Sequence, residues 1–536
     1  MARRISFILI SAVLCFLNIS SVVGQSAGSE EEWHHADPEQ DGIYGVSTAK
    51  AYEILKNKKS TKVIVAVIDG GVDVHHEDLD GVLWINHGEI ADNGIDDDNN
   101  GYVDDVYGWN FLGNESYQNI QYEQLEITRL YSQLNEQLES EALNSREKKV
   151  FKNVKSKYRY QLEDLSENKE LLDMITFGFF LSDSVIISTL DKSDYTLEDL
   201  KAIKENNDTP LASAVDVMIS FYQHGIDRTM LTEAYDQIKV QAQYHLNPEY
   251  DGRSIIGDNP EQWDEINYGN SDVVAEDPSH GTFVAGIIAA KRDNGLGING
   301  IADNVEIMTI RAVPDGDERD KDVAKAIIYA VDNGAKVINM SFGKEFSPQR
   351  AFVEEAIKYA SEHQVIMVHA AGNSAANIDK KANFPINKTV NNSEITPYWI
   401  TVGASSRESD MRLPGSFSNY GKKRVDVFAP GVDVYSLKPD NAYEVSSGTS
   451  FAAPVVSGLA ALLLSYYPEL SPSQVKEIIL SSVTDLRKHK VILPTEKASK
   501  KGKTKTTNFG KLSKTGGIVN VYNAVKLAEE MTKQVN

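Results

Sequence analysis

Residues 63–71 read VIVAVIDGG, an apolar run that is β-branched at every position but Ala66 and that closes on Asp69, Gly70 and Gly71. A short run of this kind, without polar alternation, suits a strand buried on both faces of a parallel sheet. The same texture returns at 305–310, 337–340, 365–371, 399–403 and 425–428. Helical patterns separate these runs, for example over 322–333 and 349–363. Strand and helix in alternation with short connections predict an α/β fold, a parallel sheet carrying helices on both faces. In such sheets reactive groups collect at the carboxyl ends of the strands, which is where Asp69 stands.

Between residues 111 and 270 the character changes. β-Branched runs thin out, and 121–178 and 210–246 are rich in Glu, Lys, Leu and Gln with apolar residues three and four apart. The pattern predicts a helical subdomain inserted into the sheet protein, so that 25–110 and 271–536 form one domain around it. Coiled-coil and bundle packing both remain open for the insertion. A basic segment, 487–514, is read as a solvated surface loop ahead of a final helix over 521–531.

The amino terminus has the order of a secretory signal: Arg3 and Arg4, an apolar run over 5–17, then small residues up to Gly24. That run is too short to span a membrane comfortably. Cleavage is expected near Gly24, leaving a soluble protein bound for the periplasm or the medium, with no second long apolar stretch. The single cysteine, Cys15, lies in this segment, so the mature chain is expected to draw its robustness from packing or metals instead of disulfides. With 536 residues and 41% hydrophobic content there is chain for one large core and a smaller one. A formal charge of −24 argues against a nucleic-acid partner.

Three segments carry reactive side chains. Asp69 ends the first strand, His280 opens HGTFVAGIIAA (280–290), and Ser450 lies in SSGTSFAAPVVSGLAALLL (446–464) at the start of an apolar helix. Carboxylate, imidazole and hydroxyl at the ends of core elements are what nucleophilic acyl transfer requires: the imidazole takes the hydroxyl proton and the carboxylate fixes and stabilises the imidazole. The order Asp, His, Ser separates this arrangement from other serine hydrolases. Residues 96–105, DDDNNGYVDD, follow the start of an EF-hand loop with Gly101 at the sixth position. Asp96, Asp98, Asn100, Tyr102 and Asp104 are the candidate calcium ligands, although the twelfth position is Tyr107 and not Glu.

The segments VAVIDGGVD, HGTFVAGIIAA, INMSFG, HAAGN and SSGTSFAAP, in that order, resemble the successive signature blocks of the subtilisin-like serine peptidases. The resemblance covers about residues 40–110 and 271–530 and leaves out the helical insertion. It implies a subtilisin-like sheet and a secreted endopeptidase acting on proteins or peptides, with Asp69, His280 and Ser450 as its triad and Asn373 as an oxyanion donor. It further implies that Ser341, Phe342 and Gly343 pair with extended substrate. Ala370, Ala371, Gly372 and Asn383 would line a roomy, uncharged specificity pocket. A second calcium site is implied at Gln40, Asp78 and Asn294 with the carbonyls of Arg292, Leu296 and Ile298. Three positions depart from the family pattern: Gly70 where Ser or Thr is commoner, Phe283 in place of a second histidine, and Phe451 in place of methionine after the serine. Between Gly24 and Gln40 there is room for only about fifteen residues, too few for an independently folding inhibitory domain. The insertion ends about ten residues before His280, which suggests a fence beside the cleft or a helical ornament. A calcium-stabilised binding protein on the same scaffold is the alternative to an enzyme.

Overall fold

The computed structural model of the chain describes residues 32–190, 195–204, 210–263, 268–495 and 504–533. The expected signal, with Cys15, lies outside the described residues. The described residues divide into two compact units, one built by 127–250 and the other by 32–126 together with those from 251 onward.

The larger unit is built on a nine-stranded sheet. Its strands are β1 (Val63–Asp69), β2 (Gly108–Asn110), β3 (Val305–Arg311), β4 (Val337–Met340), β5 (Ile366–Ala370), β6 (Trp399–Ser405) and β7 (Val427–Pro430), joined at one edge by two short strands described below. A hairpin, β8 (Val434–Lys438) and β9 (Ala442–Ser446), and an antiparallel pair, β10 (Lys490–Ile492) and β11 (Thr506–Asn508), stand apart from it. Thr484–Asp485 pairs antiparallel with Gly517–Ile518, which continues the sheet against β7. Every other neighbour is parallel, in the order β7-β6-β5-β4-β1-β3-β2.

Alternation along each strand explains the two-sided cover. Val63, Val65 and Val67 join a core with Ile307, Val337 and Val368, while Ala66 and Ile68 face the other way beside Met308, Ile338 and Met367. The first face is covered by helices α1 (Thr48–Leu55), α2 (Ser279–Ala289), α5 (Thr449–Tyr466), α6 (Pro472–Ser481) and α7 (Val521–Lys533), and the second by α3 (Asp320–Asp332) and α4 (Arg350–Glu362). α2 and α5 are apolar all round because neither has a solvent face to keep polar.

The limits expected for the insertion, 111 and 270, both need correction. Phe111 and Leu112 are buried in the larger unit, Asn110 and Asn270 exchange backbone hydrogen bonds, and Tyr268 packs in its core. The flanks of the insertion are held by a buried ionic group at the head of α3. Arg253 meets Glu123 at 3.6 Å, Asp258 at 3.1 Å and also Asp322, while Lys321 reaches Asp258 at 3.2 Å.

The smaller unit is a helical bundle, which decides between the two packings left open. Its longest helix, Ser145–Leu190, packs against Pro210–Gln223 and Arg228–Val240. Leu172, Ile175, Phe179 and Ile186, three to seven apart, form its inner stripe with Val215, Met218 and Leu231. The stretch of this helix over 174–190 carries a single charged residue, Asp183, which is held by Arg228 and Tyr195 at 2.7 Å each. By length and composition two described helices, this one and α5, could cross a membrane, so the expectation of no second long apolar stretch is corrected. α5 is mostly buried in the core, whereas Phe177 and Leu181 of the long helix are exposed. The basic segment is likewise not all solvated loop: Val491, Phe509 and Leu512 are buried together, although 496–503 lie outside the described residues.

Candidate active site

Asp69 is the last residue of β1, buried, and its Oδ1 accepts hydrogen bonds from the Gly70 N–H and from His280 Nδ1, both at 2.8 Å. Its other oxygen, Oδ2, is buried without a hydrogen-bond partner among the described residues. His280 reaches Asp69 because α2 approaches the β1 turn closely at Gly281, where any side chain would collide with the Gly71 carbonyl oxygen. The bond at Nδ1 assigns the proton to that nitrogen and leaves Nε2 as the basic one. Burial of the ring works against its charged form, but the Asp69 charge and hydrogen bond outweigh it, and the pKa is raised above 6.5. The imidazole keeps 45% of its side-chain surface in solvent, so its outer edge is reachable.

Ser450 sits in the first turn of α5, where its N–H has no intrahelical acceptor. Pro454 lies four residues on and has no N–H to give the Ser450 carbonyl. That carbonyl accepts the Ser341 hydroxyl at 2.7 Å instead, and the Ser450 hydroxyl donates to the Ser341 carbonyl at 2.9 Å. The end of β4 is therefore tied twice to the head of α5. Asn373, just beyond β5, turns its side-chain carbonyl to Thr449, accepting from the backbone N–H at 2.9 Å and the hydroxyl at 2.8 Å. Its amide Nδ2 is left facing out beside the same turn, 3.5 Å from where a side chain on Gly448 would begin.

The residues expected to form the specificity pocket come together. Asn383 Nδ2 donates to the Ala370 carbonyl at 3.3 Å, and side chains built on Gly343 or Gly372 would begin 2.6 Å and 3.1 Å from the Asn383 amide. Gly372 also has φ +96°, a conformation that favours glycine. Sequence reasoning gave no role to His369. It is buried, its pKa is held down to about 4 by that burial, and its neutral ring donates from Nε2 to the Phe342 carbonyl at 3.0 Å, bracing the segment 341–343.

The candidate metal ligands divide. Ligand oxygens of Asp96, Asp98 and Glu89 all lie within 4.8 Å of one another, three carboxylates suited to a hard cation. Glu89 was not anticipated, since it stands outside the alternating pattern. Asp104 turns away and accepts the N–H groups of Asn93 and Gly94 at 3.1 and 2.9 Å. Asn100 Oδ1 accepts the Tyr102 N–H at 2.8 Å. In the second set, Asp78 is met by Asn294 Nδ2 at 2.7 Å and by the Ile298 N–H at 3.3 Å, donors that occupy both carboxylate oxygens. Leu296 donates its N–H to Asn294 at 2.9 Å, and the Arg292 guanidinium reaches Gly300. Gln40 bonds Asp37 through its backbone. The first set brings three carboxylates together, although each also accepts N–H donors, for example Asp98 Oδ2 from Asn86 Nδ2 at 3.0 Å, whereas in the second the Asn294 amide and the Ile298 N–H face Asp78, the set's single carboxylate.

The family model described as the subtilase family matches residues 60–507, and the chain belongs to that family. It is 36% identical over 265 residues to a thermophilic serine proteinase of Bacillus sp. (strain AK1), covering 47% of this chain and 59% of that protein. It is 37% identical to subtilisin DY of Bacillus licheniformis, covering 39% of this chain and 71% of that one. Among solved structures, a protease of Pseudoalteromonas arctica PAMC 21717 aligns over 50% of this chain and 75% of its own at 28% identity, with a TM-score of 0.37.

Proposed function

We propose that this chain is an exported serine endopeptidase that hydrolyses peptide bonds through an acyl-enzyme intermediate. The observation that carries the reading is the 2.8 Å bond between Asp69 and His280, with Ser450 at the head of the helix beside it and Asn373 aimed at the same turn. In the reaction, the Ser450 hydroxyl leaves the Ser341 carbonyl, passes its proton to His280 Nε2 and bonds the peptide carbonyl carbon. The oxygen that gains negative charge is received by Asn373 Nδ2 and the Ser450 N–H. Collapse breaks the C–N bond, and His280 returns the proton to the leaving amine. Water then repeats the sequence on the ester. The freed Ser341 carbonyl and its neighbours Phe342 and Gly343 offer an edge for extended substrate.

We also infer that Glu89, Asp96 and Asp98 hold calcium, which would neutralise three converging carboxylates and brace the loop between β1 and β2. Export rests on the charge and hydropathy order of residues 1–24, and a cell wall-associated protease of Bacillus subtilis is among the chain's relatives. An active-site fluorophosphonate tests the central reading: the intact protein is labelled and the Ser450→Ala variant is not. Absence of labelling in the intact protein would leave a binding scaffold as the better description.

A further inference from the structure

A cavity of about 230 Å³ lies between β5, β6 and the segment leading into β7, and none of Asp69, His280 or Ser450 lines it. Its wall carries four cations, Lys388, Lys423, Arg424 and Lys514, against two carboxylates, Glu394 and Asp426. This is a local excess of positive charge in a chain whose formal charge is −24.

The carboxylates do not consume that excess. Asp426 is committed on both oxygens, to Lys514 Nζ at 2.7 Å and to the Thr401 N–H at 2.8 Å. Glu394 accepts from Asn387 at 3.1 Å. Lys388, Lys423 and Arg424 have no carboxylate within ion-pair distance among the described residues, and the Arg424 nitrogen Nη1 is buried with no acceptor. Arg424 as a whole is half-buried, and a guanidinium nitrogen shut from solvent without a protein acceptor is a place where a bound ion or water is expected. Nearby, Lys476 has its pKa lowered by burial, with Lys514 adding to the effect while Asp426 opposes it.

We propose that this cavity is a binding site for a small divalent oxyanion, gripped by the Arg424 guanidinium and the ammonium groups of Lys388 and Lys423. A guanidinium offers paired donors that match two oxygens of one anion, and lysines supply further point charges. The volume falls short of the roughly 300–1,000 Å³ typical of pockets for larger organic ligands, which favours an ion of sulfate or malonate size. Two lining residues touch the substrate-facing segments: His369 holds the Phe342 carbonyl and Asn383 holds the Ala370 carbonyl. An anion seated here would therefore stiffen the back of the expected specificity pocket. The site itself does not depend on the peptidase reading.

The test uses the full-length Ser450→Ala protein, which cannot digest itself. Thermal unfolding is followed while sulfate, and in a second series malonate, replaces chloride at constant ionic strength. A bound anion gives a midpoint that rises and then saturates, whereas general salting effects rise without saturation. Adding Arg424→Leu should weaken the apparent affinity by about tenfold or more. Because a core-facing change can harm folding, the rim variant Lys388→Gln/Lys423→Gln serves as an independent check and should also weaken it. A saturating response to sulfate alone would mark a tetrahedral site, and one to malonate alone a carboxylate site. No saturating response to either anion, or an identical response in the variants, would overturn the proposal.

Discussion

Phe283 and Phe451 pack with ring centroids 4.2 Å apart and planes inclined at 41°, and Phe451 lies 5.5 Å from the His280 ring. Two of the three departures from the family pattern are thus one contact, an aromatic pair that backs the imidazole. Either ring cut to alanine should destabilise by about 3–5 kcal/mol, and the double variant by clearly less than the sum, because both remove the same contact. Peroxide provides a second reading: the parent should keep its activity under mild oxidation that inactivates Phe451→Met, since only the thioether forms a sulfoxide. Equal losses in both would show that position 451 does not govern the site.

Asn373 uses its carbonyl to hold Thr449, and the proposed mechanism gives its amide the oxyanion. Asn373→Asp retains acceptors for Thr449 but has no Nδ2 donor, so it should fold normally while turnover falls by about 100- to 1,000-fold. A fall of only a few-fold would remove Asn373 from the oxyanion site.

On the proposed mechanism, the raised pKa of His280 sets the acid limb of activity. With the neutral ring as the proposed base, kcat/KM should fall as pH drops through a midpoint above 6.5. Asp69→Asn removes the charge that holds the value up and leaves burial to pull it down, so the residual activity, lower by about 10⁴, should show a midpoint below that of the parent. The same shift makes Asp69 stabilise the charged ring, a contribution fully present below pH 6.5 and lost as pH rises through the folded-state value. An unmoved midpoint in the variant would contradict the assignment of Asp69 as the partner that raises His280.

Pro454 and Ser341 form a testable pair. Ser341→Ala leaves the Ser450 carbonyl without a donor, at a cost of about 1–3 kcal/mol. Pro454→Ala restores an N–H four residues along the helix, so it should recover part of that loss in the Ser341→Ala background. Unfolding midpoints of the four proteins decide, and simple additivity of the two effects would refute the compensation.

Chelation should lower the unfolding midpoint of the parent, as expected when a metal binds only the folded state. Glu89→Gln, which removes a carboxylate from the cluster, should lower the midpoint in calcium and shrink the response to chelator. An equal response in parent and variant would place the metal elsewhere.

Most of the sheet was legible because its longer strands write their burial into β-branched residues, and 63–68 differs from β1 only by the terminal Asp69, whereas β2, Gly-Trp-Asn, carries no such signal. The contact between Asp69 and His280 was legible because close packing demands local motifs, such as the glycine after His280. The insertion limits were not, since 111–126 and 251–270 are held by bonds such as Asn110 to Asn270, 160 positions apart, and carry no periodicity. Glu89 escaped for a similar reason: it joins Asp96 and Asp98 through a loop, outside the alternation that revealed them. The cation-lined cavity draws Lys388, Arg424 and Lys514 from separate segments, each of which reads as ordinary surface.

Asp69 and His280 meet across 211 positions, and Ser341 and Ser450 across another 109. The stretch 127–250 between the first two owns a core of its own, so it can condense early and spare the chain part of the search for the long-range contact, whose closure entropy grows only slowly with loop length. The final partner still arrives late in synthesis. A chain released from the ribosome or a translocation channel from its amino end presents a carboxylate first, an imidazole midway and its nucleophile only after β9 has emerged. On the proposed mechanism, a copy that ends before β9 therefore lacks the nucleophile.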